Sequence, residues 1–168
     1  MPAPPAVERI VSVIVPARNE GSAIMRLIGA VLEQAPGGWT VEVVLVDDGS
    51  TDETACVARA AGARVVALDS RPNGGNPAVG RNRGALAATG DPLVFLDADC
   101  LPAPGWLAAL LAGHDAGAAV VGGSLDLPDG LSPMARCDYY CGWYHVHSRR
   151  PGGEVPNHPP GNLSVRRA

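Results

Sequence analysis

Carboxylates fall where apolar runs end. The run "VEVVLVDD" closes on Asp47 and Asp48, and "PLVFLDAD" closes on Asp97 and Asp99. Residues two apart in an extended segment face the same way, so Asp97 and Asp99 are expected to converge on one point. Two carboxylates held together repel unless a cation lies between them. Mg²⁺ or Mn²⁺ is commonly held by one or two carboxylates, with water and substrate phosphates completing the shell. The plainer reading makes Asp99 a cap on the turn toward Pro102 and Pro104. Two arginines, Arg81 and Arg83, sit early in "NPAVGRNRGALAATG". One of them could grip a diphosphate with its fork of donors; the competing reading is a pair of exposed helix arginines.

A third polar cluster follows the first apolar run, where "VIVPARNE" leads through Pro16 and Ala17 to Arg18, Asn19 and Glu20. Asn19 suits the N-cap of the next helix, a contribution of ~1 kcal/mol. Ser50 and Glu53 in "STDETACVARAAG" have the spacing of a capping box. Asp69, Ser70, Arg71 and the loop "PNGGN" close a third run. No G-x-G-x-x-G or Walker A spacing occurs, so neither a dinucleotide fingerprint nor a P-loop is expected. His145 and His147 would point apart on a helix, which argues against a shared metal.

These groups need a frame that brings the run ends together. Five short, Val-rich runs recur at 9–16, 41–47, 63–69, 92–99 and 118–124. Near-continuous apolar strands are buried on both faces, hence parallel. Between them lie helical patterns: Ile24, Leu27, Ile28, Val31 and Leu32 share one face, as do Trp106, Leu107, Leu110 and Leu111. Gly62 suits a helix C′ position, Pro77 a first turn, and Gly90 a terminator. The alternation predicts an α/β fold, an open doubly wound sheet that binds ligands beyond the carboxyl ends of its strands. After Ser124 the chain is richer in aromatics and proline; Ser132 and Pro133 start a further helix, and "NLSVRR" alternates like a strand.

Composition narrows the classes. The chain has 168 residues, 46% hydrophobic, with net charge −4 and thirteen arginines but no lysine. No basic cluster stands out before the tail, which gives a nucleic-acid partner little support, and none is expected. Cys56, Cys100, Cys137 and Cys141 lack paired metal-site spacing and read as reduced thiols. "MPAPPAVER" has neither the basic nor the apolar stretch of a secretory signal, and no run reaches the ~18 residues of a membrane span. A cytoplasmic chain is expected.

Taken together, "VSVIVPARNE", "VEVVLVDDGSTDET", "VGRNRGALAATGDPLVFLDADC" and "PGWLAALL" resemble, in order and spacing, the family 2 glycosyltransferases of GT-A fold. The likeness covers about residues 10–125, and "PPGNLSVRR" is similar to the family's segment beyond strand five. It implies a Rossmann-like, mostly parallel sheet with helices on both faces. Residues 1–124 would be the nucleotide-sugar half, and 125–168 the start of an acceptor-side region. It implies that Pro16, Ala17, Arg18, Asn19, Glu20 and either Asp47 or Asp48 hold the nucleoside, with Arg81 near the nucleotide. Asp99 would bind Mg²⁺ or Mn²⁺ most directly. Asp97, beside Ala98, would contact the sugar or ribose side and the metal. The implied reaction moves a sugar from a nucleotide-diphospho-sugar to the hydroxyl of a glycan or lipid-linked acceptor, with inversion, in cell-wall, glycolipid or exopolysaccharide synthesis. Family members continue to an acidic pair that includes the general base; this sequence has none after Arg167, so the base is expected beyond Ala168. Peripheral membrane association through such a region belongs to the same expectation. The alternative is a nucleotide-sugar-binding module without turnover.

Overall fold

The Val-rich runs become the strands of one sheet in the computed structural model, which describes residues 9–69 and 75–167. The elements are β1 (Arg9–Ala17), α1 (Gly21–Leu32), β2 (Trp39–Asp47), α2 (Thr54–Ala60), β3 (Arg64–Ala67) and α3 (Pro77–Ala87). They continue as β4 (Leu93–Leu96), α4 (Trp106–Asp115), β5 (Val120–Gly122), α5 (Pro133–Trp143) and β6 (Asn162–Val165). Ser70, Arg71 and residues 72–74 of the glycine-containing loop lie outside the described residues, as does most of the N-terminal stretch.

The sheet order is β3-β2-β1-β4-β6-β5. Strands β1 to β4 are parallel, as the apolar runs predict. β6 runs antiparallel between β4 and β5, so the strand expected at the tail joins the sheet made by the first half of the chain. Helices cover both faces. Val11, Val13 and Val15 of β1 pack into a core with Ile24, Ile28 and Val31 of α1, Ala58 of α2 and Leu107 and Leu111 of α4. Ile14, one residue out of phase, packs with Val44 and Val46 in a second core, with Ala85 and Ala87 of α3 against it. Alternate side chains of a strand face opposite ways, so an unbroken Val/Ile run serves both layers.

Helix α3 sits unusually close to the sheet. A Cβ on Gly84 would lie 2.3 Å from Cγ2 of Ile14, and one on Gly80 would lie 2.9 Å from Cβ of Pro16. Two glycines four residues apart therefore form the contact face. Asn76 caps this helix, its side chain accepting from the Ala78 N–H at 3.0 Å, and Pro77 begins it. Ser132 and Pro133 start α5 in the same way. Gly62 follows α2 at φ +95°, the left-handed conformation expected of a C′ glycine.

At the opposite edge from the polar clusters, Glu42 ties strands to the α3 exit. It accepts from the Thr89 N–H at 2.8 Å and the Thr89 hydroxyl at 3.0 Å, and from the buried Ser12 hydroxyl, with Arg64 3.6 Å away. Burial pushes the Glu42 carboxyl up, but Ser12, both Thr89 donors and the Arg64 charge together hold it below its ordinary value. A depressed folded value contributes stability above the unfolded glutamate pKa of ~4.3, and that contribution is lost as pH falls below it. Glu42→Gln should lower thermal stability at pH 7 by on the order of 1 kcal/mol. The difference from wild type should narrow between pH 7 and pH 3; melts that stay equally far apart at both pH values would contradict this. Among the described residues, no helix is long and apolar enough to cross a membrane.

Candidate active site

Two loops at the carboxyl edge are laced together by short polar side chains. Asn19 has φ 57°, a left-handed conformation that asparagine tolerates. Its Oδ1 accepts from the Thr51 N–H at 2.8 Å, and its own N–H donates to Oγ of Ser50 at 3.0 Å. The Glu20 N–H donates to Oγ1 of Thr54 at 2.8 Å, and the Gly21 N–H to Oδ2 of Asp52 at 3.0 Å. Asn19 thus does not cap α1. Glu20 is the N-cap and makes no side-chain bond, and the first free N–H of the helix is satisfied by Asp52 from the neighbouring loop. The Ser50–Glu53 capping box does not form either, because Ser50 faces Asn19 and Asp52 accepts from Thr54 at the start of α2. Hydrogen bonds from the Thr54 hydroxyl and N–H, ahead of one from Gly21, hold the Asp52 carboxyl below its ordinary value.

The two adjacent carboxylates are both buried and serve different loops. Asp47 Oδ1 accepts from the Ser50 N–H at 3.1 Å, closing the turn after β2. Asp48 Oδ2 accepts from the Asn76 N–H at 2.7 Å, which ties the β2 exit to the start of α3. Gly75 lets that approach happen, since a Cβ there would lie 2.4 Å from Oδ2 of Asp48.

The second acidic pair is arranged differently from the extended segment expected. β4 ends at Leu96, and the Cys100 N–H donates to the Asp97 carbonyl at 3.0 Å, so Asp97, Ala98 and Asp99 form a turn. Asp97 Oδ1 takes a close ion pair from Nη2 of Arg81, whose side chain is 15% exposed. Among the described residues, the Arg81 guanidinium is the positive charge nearest to Asp97. The acidic pair is therefore set on a turn and not along a strand, where alternation would have placed it. Nε of Arg81 is buried without a hydrogen-bond partner. Arg83, two residues on, is exposed. The choice between the arginines follows from the helix phase set by Gly80 and Gly84.

Gly161 braces Asp97 from the far side. Its carbonyl accepts from the Asp97 N–H at 3.2 Å, and a Cβ there would lie 2.3 Å from Oδ2 of Asp97. The next residue, Asn162, is 4% exposed; it accepts from Nε1 of Trp106 at 2.7 Å and donates to the Ser124 carbonyl at 2.8 Å. It fixes α4, the β5 exit and β6 together. Asn162 stands in the "PPGNLSVRR" stretch of the family likeness, but its role was not legible, because partners 38 and 56 residues away leave no local signal.

Pro16, Ala17, Arg18 and Glu20, together with Pro77 and Arg81 of α3 and Asp97, Ala98 and Asp99, line one cavity of about 210 Å³. Asn19, Asp47 and Asp48 lie outside that lining. A larger cleft of about 750 Å³ lies on the other side of Asp99, between the α4 entry and the segment after β5, and Asp99 lines both spaces. Cys100 stands in the larger cleft, where burial, then the charges of Asp99 and Asp97, push its thiol up to about 12.

Among the described residues, no group of three His, Cys, Asp or Glu side chains gathers as a ready-made metal cage. The donor set nevertheless fits a magnesium-like ion. Asp99 is exposed to the cavity and its partner is the weak Cys100 thiol donor at 3.7 Å, and such ions need only one or two carboxylates when phosphates supply the rest. The histidines do not converge. His114 is buried and bridges the Ala118 carbonyl at 2.8 Å and Oγ of Ser164 at 2.7 Å. His145 stacks on Trp143, and His147 faces Tyr140 and Asp126.

A mostly parallel sheet with one cavity over its carboxyl edge is the arrangement of nucleotide-binding α/β proteins. Residues 12–166 match the sequence profile of Glycosyl transferase family 2, and the chain belongs to that family. Pre-mycofactocin glycosyltransferase of Mycobacterium tuberculosis is 35% identical over 144 residues, 80% of this chain and 28% of that protein. Glucosyl-3-phosphoglycerate synthase of Mycolicibacterium smegmatis is 38% identical over 111 residues, 61% of this chain and 35% of that protein. The crystal structure of glucosyl-3-phosphoglycerate synthase from M. tuberculosis with Mn²⁺, UDP and glucosyl-3-phosphoglycerate superposes with a TM-score of 0.63 at 25% identity. The match covers 94% of this chain and 57% of that one. The chain thus spans well under half the length of these two curated relatives.

Proposed function

We propose that the small cavity holds the diphosphate of a nucleotide-sugar, and that the sugar is transferred to a hydroxyl presented from the larger cleft. The observation that carries this reading is the position of Asp99, which lines both spaces, next to a carboxylate already paired with an arginine. Arg18 and Arg81 bring positive charge to a cavity that also holds Asp97 and Asp99. In the reaction the acceptor oxygen bonds the anomeric carbon as its bond to the diphosphate breaks. The bonding pair leaves on the nucleoside diphosphate, and the hydroxyl proton passes to a base. A divalent ion, Mg²⁺ or Mn²⁺, at Asp99 would neutralise the charge that develops on the departing diphosphate. Asp97, held by Arg81 and braced by Gly161, orients the sugar or ribose hydroxyls by accepting from them.

Pro16, Ala17, Arg18 and Glu20, which line the cavity, hold the nucleoside end, and Asn19 fixes their loop. Asp47 and Asp48 act one step back, by fixing the loops on either side. Residues 1–124 then carry donor binding, and 125–168 contribute the acceptor side and the Gly161–Asn162 brace. Inversion at the anomeric carbon, a cytoplasmic site and a role in glycan or glycolipid synthesis belong to the same reading. The solved relative with Mn²⁺ and UDP makes UDP the first nucleotide to try. Calorimetric titration of the chain with UDP, once with Mn²⁺ and once with EDTA, is expected to show saturable binding that strengthens with the metal. No heat of binding in either buffer would contradict the reading.

A further inference from the structure

The larger cleft differs in charge from the small cavity beside it. Arg18 and Arg81 line the small one, but among the described residues no arginine or histidine lines the larger. Its charged groups are two carboxylates, Asp99 and Asp126. The rest of the wall is largely aliphatic, with Leu101, Leu125, Leu127 and Val121 facing Trp106. The indole N–H is already spent on Asn162, so what Trp106 offers a ligand is its apolar ring. Both ends of the Asn162 amide are committed to Trp106 and Ser124 as well.

An acceptor bearing phosphate or carboxylate needs cationic forks to replace its lost water, and this apolar wall offers it none. The solved relative was crystallised with phosphoglyceric acid, a compound of that anionic kind. We propose that this chain takes a different acceptor class: an uncharged alcohol whose hydroxyl is carried on an apolar body. The apolar body packs along Trp106 and the leucines, and the hydroxyl reaches toward Asp99 at the junction with the donor cavity. The inference rests on the donor reading for the direction in which the hydroxyl points. The apolar character of the cleft wall stands independently of it.

The test is a set of titrations with monomeric n-octyl β-D-glucoside and with 3-phosphoglycerate. Each is run on the chain alone and on the chain saturated with UDP and Mg²⁺. The neutral amphiphile is expected to bind about ten-fold more tightly than 3-phosphoglycerate. Leu127→Arg, which places a cation in the wall, should narrow or reverse that preference. Ser124→Arg, at an exposed position of the same wall, serves the same purpose if Leu127→Arg does not fold. Equal or tighter binding of 3-phosphoglycerate overturns the proposal, as does binding of neither compound. If UDP fails to bind while the preference for the amphiphile holds, the donor reading falls and the cleft assignment stands.

Discussion

Arg81→Ala is expected to weaken UDP binding by roughly 10- to 100-fold, the equivalent of ~1.5–3 kcal/mol for a hydrogen bond to a charged group. Two losses combine. The cavity loses a cation beside the proposed diphosphate position, and Asp97 loses the guanidinium paired with it. An unpaired Asp97 would then repel the ligand it is meant to steer. The cost to folding should be smaller, about 1 kcal/mol, because the Asp97 side chain is 38% exposed and water screens the pair. Arg81→Lys keeps the charge but not the planar fork, so its affinity should fall between wild type and Arg81→Ala. Calorimetry and thermal melts on the same preparations separate the two effects. An unchanged UDP affinity would show that Arg81 serves only the fold.

The second large effect falls on stability and has a built-in control. Replacing glycine by alanine inside a helix ordinarily stabilises it by ~1 kcal/mol. Gly29 of α1 has nothing within 4 Å of where a Cβ would stand, so Gly29→Ala should raise the melting temperature. Gly84→Ala should do the reverse. Its Cβ would stand 2.3 Å from Cγ2 of Ile14 and 3.1 Å from Cγ2 of Val46, and both partners belong to buried strand residues that cannot swing away. Overpacking of this kind costs ~1–3 kcal/mol. At this chain length each kcal/mol moves the melting temperature by about 2–4 °C. Since α3 must lift off the sheet to make room, Arg81 one turn earlier should move too, and UDP affinity should fall with stability. Equal gains in melting temperature for both variants would mean that α3 does not sit where it is described.

Features set by neighbours in the chain were legible from the residues alone. The Val-rich runs mark the strands, Pro77 and Ser132–Pro133 mark helix starts, and Gly62 marks a helix end. Each rests on local backbone chemistry. Features set by partners distant in sequence were not legible. Asn19 and Ser50 look like helix caps, because capping residues and loop staples use the same short polar side chains; which role wins depends on a loop 31 residues away. Asp97 and Asp99 were grouped by strand alternation, yet β4 stops at Leu96, before either of them. They meet through a turn, and Arg81 changes what one of them can do. β6 alternates like a strand in sequence, but its place between β4 and β5 depends on pairing across some 70 residues. The Gly80–Gly84 stripe was the missed signal. Four-residue spacing of glycines marks the face of α3 that touches the sheet, and that alone would have distinguished Arg81 from Arg83.

The central claim is that Asp99 carries the metal-dependent part of nucleotide binding while Arg81 and Asp97 act without it. The most direct measurement is the UDP dissociation constant of wild type and Asp99→Ala, each in Mn²⁺ and in EDTA. The expected result is near-equal affinity of the two proteins in EDTA, a gain with Mn²⁺ for wild type, and no gain for Asp99→Ala. An undiminished gain with Mn²⁺ in Asp99→Ala would contradict the account, as would an equal loss in both buffers.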